Sequence, residues 1–134
     1  MAAKWANTSV LDGGSDLMRT LAGTLSRVKM HVIKAYTTGD AYATVVTTNS
    51  CGSVDLVAAD LAQSSSGANR RTTVAAKSIT LTASSGAAPD LHIAIVDSVS
   101  LAVLLVTDET SNQVLTMGNT FNVPAWLYDV NQPT

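Results

Sequence analysis

Few side chains in this sequence could carry acid–base or metal chemistry. Two histidines, His31 and His92, lie in strand-like segments, and together with Asp90 or Asp97 they could in principle bind a metal ion. No pair of these residues shows the close spacing of the recognised metal-binding motifs. Histidines that are hydrogen-bonded within strands, or that lie at their surface, explain the pattern better. We therefore expect no metal site and no cofactor.

Nucleophilic catalysis has equally little support. The single cysteine, Cys51, lies in the sequence Asn-Ser-Cys-Gly and lacks the flanking residues of known cysteine enzymes. The chain has neither a Gly-x-Ser-x-Gly elbow nor a phosphate-binding loop, and the adjacent carboxylates Asp108 and Glu109 are explained by a turn. The sequence therefore predicts no catalytic residues and no enzyme. An enzyme that uses Cys51 and a histidine is kept as an alternative.

The composition favours a neutral domain rich in β-structure. Hydrophobic residues make up 46% of the 134 residues, whereas charged residues make up only 13%, about half the usual fraction of roughly 25%. Aromatic residues account for 4%, so most apolar side chains are small or β-branched and suit strands. With eight basic residues and a net charge of −2, the chain is poorly suited to bind phosphate backbones. We expect no nucleic-acid partner.

Targeting and membrane signals are also missing from the sequence. No run of 18 apolar residues is present, so no membrane-spanning segment is predicted. The first residues lack the apolar centre of a signal peptide. With only one cysteine, the chain cannot form an internal disulfide. These features indicate a protein that folds in a reducing cytoplasm.

One helix is predicted near the start of the chain. Residues 1–10 show no periodicity and are predicted to form an extended N-terminal arm. Leu17, Leu21 and Leu25 recur at the i, i+4 and i+8 positions of one helical face, which predicts a helix over residues 15–27. The remaining residues, 11–134, are predicted to form a single domain that includes this helix.

From residue 28 onward the hydrophobic period changes to two. Turn signals recur about every 8–12 residues, which predicts an antiparallel β-sandwich or small barrel with seven to eight short strands. In the 71–84 segment the even-numbered residues are rich in threonine, and their side chains are expected to face water. Pro124 should place the last strand at an edge or at a bulge. The predicted strands cover residues 28–33, 41–48, 53–62 (ambiguous with a helical turn), 71–84, 91–96, 101–107, 113–117 and 120–130, with 91–96 and 101–107 forming a buried hairpin.

The two tryptophans are expected to have different roles. Trp126 follows Pro124 in the last predicted strand and is expected to fill the core, where its ring would bury a large apolar area. Trp5 lies in the arm, so it either packs back on the domain or inserts into a partner, where tryptophan is a favoured anchor. We therefore take Lys4, Trp5, Asn7 and Val10 as candidate partner-binding residues.

Five short stretches, spread over nearly the whole chain, are similar in their order and spacing to stretches of a known family of proteins. They are VLDGG (10–14), AYTTGDAYAT (35–44), TVAAK (73–77), LHIAIVD (91–97) followed by LLVT (104–107), and GNTFNVPAW (118–126). In these stretches the chain resembles the small capsid decoration, or cement, proteins of tailed bacteriophages. None of the stretches is a catalytic motif, so the resemblance assigns no role to individual residues.

The resemblance implies a β-rich virion protein that binds the outer surface of an icosahedral head and stabilises contacts between major capsid proteins. It also implies a homo-oligomer, with a trimer favoured over a dimer, that resides in the bacterial cytoplasm before assembly. Two alternatives remain. One is a phage tail or head-fibre component that binds a host-surface glycan, and the other is a non-viral ligand-binding β-sandwich.

Overall fold

A computed structural model of the chain describes residues 3–6, 8–66 and 69–130. Within these ranges the chain forms one α-helix, ten β-strands, a π-helical turn and a 3-10 turn. In chain order the elements are β1 (Ala3–Ala6), α1 (Thr8–Ala22), β2 (Val28–Ile33), the π-helical turn (Thr44–Thr48), β3 (Ser50–Leu56), the 3-10 turn (Ala58–Asp60), β4 (Leu61–Ser66), β5 (Asn69–Val74), β6 (Lys77–Thr80), β7 (His92–Asp97), β8 (Ala102–Asp108), β9 (Thr120–Val123) and β10 (Trp126–Val130).

The strands form three antiparallel sheets. The largest has the order β1-β8-β7-β2-β3, a second has the order β10-β5-β4, and β6 pairs with β9 in the third. In the described residues these sheets do not close into a barrel, so the fold is a small antiparallel β-sandwich with one helix. The predicted fold class is confirmed, with ten described strands in place of seven to eight.

Both faces of the five-stranded sheet are covered. One face packs against α1 and the two smaller sheets in the main core, which includes Met18, Met30 and Trp126. The opposite face packs against residues 34–49, which contribute the buried Val45 and the partly buried Tyr36. Because β7 and β8 lie inside this sheet with cover on both sides, their sequences are nearly continuous apolar runs. The buried hairpin is therefore confirmed, as is the core position of Trp126.

The helix differs from the prediction at both ends. It begins at Thr8 rather than at residue 15, because glycine lowers helix propensity by only about 1 kcal/mol and so Gly13 and Gly14 do not forbid a helix. It ends at Ala22 rather than at residue 27, and Gly23 closes it by donating to the carbonyl oxygens of Arg19 and Thr20. The predicted helical face therefore loses its third leucine, Leu25, which lies in the following loop.

The predicted 71–84 strand is two strands in different sheets. β5 ends at Val74 and β6 begins at Lys77. Across the break between them, the side chains that face the core change from the even-numbered to the odd-numbered residues. In β5 the buried residues are Thr72 and Val74, whereas in β6 the buried residue is Ile79. The expectation that the even-numbered, threonine-rich side chains face water is correct for β6 and wrong for β5.

Three other segments depart from the predicted strands. Residues 41–48 form a loop and the π-helical turn, because Val45 is needed to cover the sheet rather than to extend it. Residues 113–117 form a loop, and the predicted loop tip at 63–69 continues as strand through Ser66 in β4. As expected, Pro124 interrupts the last segment between β9 and β10, and β10 lies at a sheet edge.

Candidate functional site

The N-terminal segment is part of the sheet. β1 pairs antiparallel with β8, with Ala3 opposite Thr107, Trp5 opposite Val106, and a register shift between these two pairs. Lys4 and Trp5 therefore lie in an edge strand, and Val10 lies in the first part of α1. The predicted extended arm is wrong for residues 8–10, which are helical. Asn7 lies outside the described residues, and the binding role of all four candidates stays a prediction.

The two edges of the large sheet differ in what lies beside them. At the β3 edge, the carbonyl oxygen of Cys51 accepts hydrogen bonds from the backbone N–H groups of Thr82 (2.8 Å) and Ala83 (3.1 Å). At the other edge, no described strand pairs with the outer side of β1. In the smaller β10-β5-β4 sheet, α1 approaches the β4 edge, where Arg19 donates to the carbonyl oxygen of Leu61 at 2.7 Å. Of these edges, β1 offers backbone groups to a partner's strand.

The histidines do not come together with Asp97. His92 is buried on the face of the large sheet that residues 34–49 cover, where its Nδ1 lies 2.9 Å from Asp108 and its Nε2 lies 3.2 Å from Asp90. The ring of Tyr36 packs edge-on against it, with 5.9 Å between ring centroids. This arrangement fixes the ring between two carboxylates. Among the described residues, no group of three or more histidine, cysteine or carboxylate side chains is placed so that it could hold a metal ion.

His31 lies on the same face and is buried as a neutral ring. Its Nδ1 lies 2.8 Å from the Oγ of Ser50, while its Nε2 has no hydrogen-bond partner within the described part of the chain. Burial, and secondarily the positive charge of Lys29, lowers the pKa of His31 to about 4. A ring with this pKa is a structural group that resists protonation rather than a base poised near neutral pH.

Cys51 faces the opposite side of the sheet from His31. It belongs to the main core, together with Met30 and Val32 of β2, whereas His31 alternates with them and points to the other face. The buried Cys51 thiol lies 4.0 Å from the carbonyl oxygen of Asn49, and burial raises its pKa. This position does not provide the base that a cysteine nucleophile requires.

The best-defined electrostatic feature is an ion pair that sequence reasoning missed. Arg27 donates from Nε and Nη2 to the two carboxylate oxygens of Asp97, at 2.9 and 2.8 Å. The same carboxylate accepts hydrogen bonds from Val99 N–H, Ser100 N–H and the Ser100 hydroxyl. These contacts hold the pKa of Asp97 well below its usual range, with the Arg27 hydrogen bonds as the largest cause. The two partners are 70 residues apart, so no local spacing signals the pair.

Comparison with protein-family models, with curated proteins and with solved structures finds no match to this chain. No helix within the described ranges has the length and apolar character that crossing a membrane requires. These comparisons therefore assign no function to this chain.

Proposed function

We propose that this chain is a structural protein of a bacteriophage head. It binds the outer surface of the capsid as a homo-oligomer, stabilises contacts between major capsid proteins, and has no catalytic activity. The resemblance of its sequence to capsid decoration proteins suggests this function. The structural observation that carries it is the edge strand β1, which leaves one side of the large sheet without a described neighbour.

An edge strand suits attachment to a protein lattice. Main-chain N–H and C=O groups on an unpaired edge can accept a strand from another protein, and pockets for the side chains of the added strand can then provide selectivity. A decoration protein also occupies many identical sites, so each contact can be weak while the lattice as a whole is held strongly. The low charge of the chain, 13% charged residues, fits a contact that depends on shape and hydrogen bonding.

The burial of two aromatic side chains weighs against the glycan-binding alternative. Trp126 and Tyr128 are both buried in the main core, with the Trp126 Nε1 and Tyr128 hydroxyl groups lacking hydrogen-bond partners among the described residues. Burial raises the pKa of Tyr128. Neither ring is exposed for stacking against a sugar, so these two aromatic side chains contribute to the core rather than to recognition.

Binding to decoration-free phage heads tests the proposal directly. Purified protein is mixed with heads, which are then sedimented, and the bound protein per head is measured by gel densitometry. We expect saturable binding of the unmodified chain. Removal of residues 1–6, which leaves the start of α1 at Thr8 in place, should reduce occupancy at least tenfold.

Because β1 pairs with β8, the deletion is accompanied by single substitutions that preserve the strand backbone, Lys4→Glu and Trp5→Ala. Val114→Asp, at a 62% exposed position on a loop outside the sheets, is the matched control for a general change of surface. Absence of binding by the unmodified chain, or occupancy that none of the β1 variants changes, would refute the proposal.

A further inference from the structure

Three exposed apolar side chains lie on two neighbouring loops at one end of the sandwich. Leu25, in the loop after α1, is 83% exposed, and Val99 and Leu101, in the β7–β8 loop, are 66% and 62% exposed. We call these three side chains the loop cap. Ser98 joins the two loops, because its N–H and hydroxyl both donate to the carbonyl oxygen of Arg27, at 2.9 and 2.8 Å. The loop cap is therefore held in place by the fold.

The backbone at Leu101 is in the left-handed region, with φ of 55°. Glycine or asparagine adopts this conformation at lower cost than a leucine. The loop is nevertheless fixed, since Asp97 accepts the N–H groups of Val99 and Ser100 and is itself held by Arg27. The backbone preference of leucine does not explain why its large apolar side chain occupies this exposed, strained position at residue 101.

A groove of about 370 Å³ adjoins the loop cap. We call it the α1–β8 groove, because its apolar walls are Leu17 and Leu21 of the helix and Ala102 and Leu104 of β8. A register shift in the β7–β8 pairing skips Leu104, so that Leu104 and the adjacent Leu105 both belong to the main core. Groove and cap share one surface, since the groove residue Ala102 directly follows Leu101.

Charge favours a neutral occupant for this surface. The only charged side chains that line the described groove are Arg27 and Asp97, and they neutralise each other through two hydrogen bonds. A strongly charged partner would find no unpaired group of opposite sign here. A second copy of this chain would meet no like-charge repulsion, because it presents the same compensated pair.

The exposed area fits a contact between proteins. From the exposed fractions of its residues, the loop cap exposes on the order of 350 Å² of mostly apolar surface, within the range of the largest, often functional, patches on monomers. A standard interface takes roughly 800 Å² from each partner, a little over half of it apolar. The loop cap therefore supplies a large part of the apolar area that such an interface needs, and the partly buried walls of the groove add to it.

We propose that the loop cap of one copy packs into the α1–β8 groove of another copy of this chain. The loop cap and the α1–β8 groove lie side by side on one surface. Each copy can therefore insert its loop cap into the groove of the other copy and receive that copy's loop cap in its own groove. This inference rests on the self-association included in the proposed function and assigns a surface to it. The purified chain without capsids can test it.

Light scattering coupled to size-exclusion chromatography measures the outcome. We expect the unmodified chain to have a mass of at least twice the 13.9 kDa of one copy. Val99→Asp places a charge in the proposed apolar contact and should raise the dissociation constant of the oligomer roughly 30-fold or more, as loss of an interface hot spot does. The matched control is Val114→Asp, since Val114 is 62% exposed on a different loop and its change should leave the oligomer intact.

Leu101→Gly provides a second variant that relieves the positive φ and so does not threaten folding. It should also weaken the oligomer, because it removes the Leu101 side chain from the loop cap while leaving the backbone path unchanged. An unmodified chain that is monomeric, or an oligomer that neither Val99→Asp nor Leu101→Gly weakens, overturns this inference. Capsid occupancy measured on the same proteins reports separately on attachment to heads: heads that bind the unmodified chain while the chain alone is monomeric would overturn this inference and leave capsid attachment standing.

Discussion

The buried neutral His31 makes the stability of the fold dependent on pH. Its pKa is about 4 in the folded chain, compared with 6.5 for an unperturbed histidine, because burial disfavours the charged ring and Lys29 repels it. The unfolded chain therefore binds a proton more readily than the folded chain as the pH falls. The stability that neutral His31 contributes is fully present above pH 6.5 and is lost progressively as the pH falls from 6.5 to about 4.

The size of this loss follows from the two pKa values. Each unit of difference corresponds to about 1.4 kcal/mol, so complete titration costs about 3 kcal/mol of unfolding free energy. Between pH 7 and pH 5 the same linkage relation gives a loss of about 2 kcal/mol. That is a large part of the roughly 5–15 kcal/mol that stabilises a typical domain. In urea it corresponds to a midpoint lower by roughly 1 M.

The carboxylates act in a different pH range. The pKa of Asp97 is held well below its usual range by Arg27, and the pKa of Asp55 is lowered by its hydrogen bond to Lys29. The stability that such groups contribute is present above the unfolded pKa of about 3.8 and is lost as the pH falls below it. A decrease in stability between pH 7 and pH 5 therefore reports on His31 rather than on these ion pairs.

Urea denaturation at pH 7 and pH 5 tests the prediction, with unfolding followed by circular dichroism. The unmodified chain should lose about 2 kcal/mol between the two pH values, whereas His31→Gln should lose much less, whatever its stability at pH 7. His92→Gln leaves His31 in place, so this variant should still lose the unfolding free energy that the titration of His31 removes between pH 7 and pH 5. An equal loss in the unmodified chain and in His31→Gln would refute the reasoning.

Three further predictions concern single contacts. Asp97→Asn removes the charge that pairs with Arg27 and should lower the unfolding free energy by about 2–4 kcal/mol at pH 7; an unchanged urea midpoint would contradict a structural role for the pair. Gly52→Ala should cost about 1–3 kcal/mol in the same assay, because a Cβ would lie 2.8 Å from the backbone oxygen of Thr80; a neutral result would mean that the sheets can separate at no cost. The Cys51 thiol, whose pKa is raised by burial, should not react with a thiol reagent at pH 7.5 until denaturant is added; rapid reaction in the native state would contradict its burial.

The strands that the sequence predicts best are those whose side chains meet the same surroundings along their whole length. β2 alternates between two faces, and the apolar runs of β7 and β8 are covered on both sides, so their patterns report burial directly. The 71–84 segment misleads because one regular alternation spans two strands. Ala75 and Ala76, between β5 and β6, are too small and too neutral to signal the break.

Elements that depend on distant contacts were less predictable. Residues 41–48 have the β-branched composition of a strand, yet Val45 is buried over the second face of the large sheet and the chain there turns as a π-helix. The Arg27–Asp97 pair likewise depends on β2 and β7 being neighbours, with Val28 opposite Asp97. The sequence named Asp97 only as one carboxylate that could in principle join a metal site, which its spacing did not support, and only the pairing of these two strands identifies Arg27 as its partner.

Leu25 and Leu101 illustrate where local sequence preference and the fold disagree. Leu25 continues the apolar period of α1, but Gly23 ends the helix and leaves this leucine almost fully exposed. Leu101 begins a predicted strand, but it occupies the left-handed last position of the β7–β8 loop. Disagreements of this kind are expected at positions that serve a function rather than stability. Both lie at the same end of the sandwich beside an apolar groove, and the proposed packing of a second copy would bury these surfaces together.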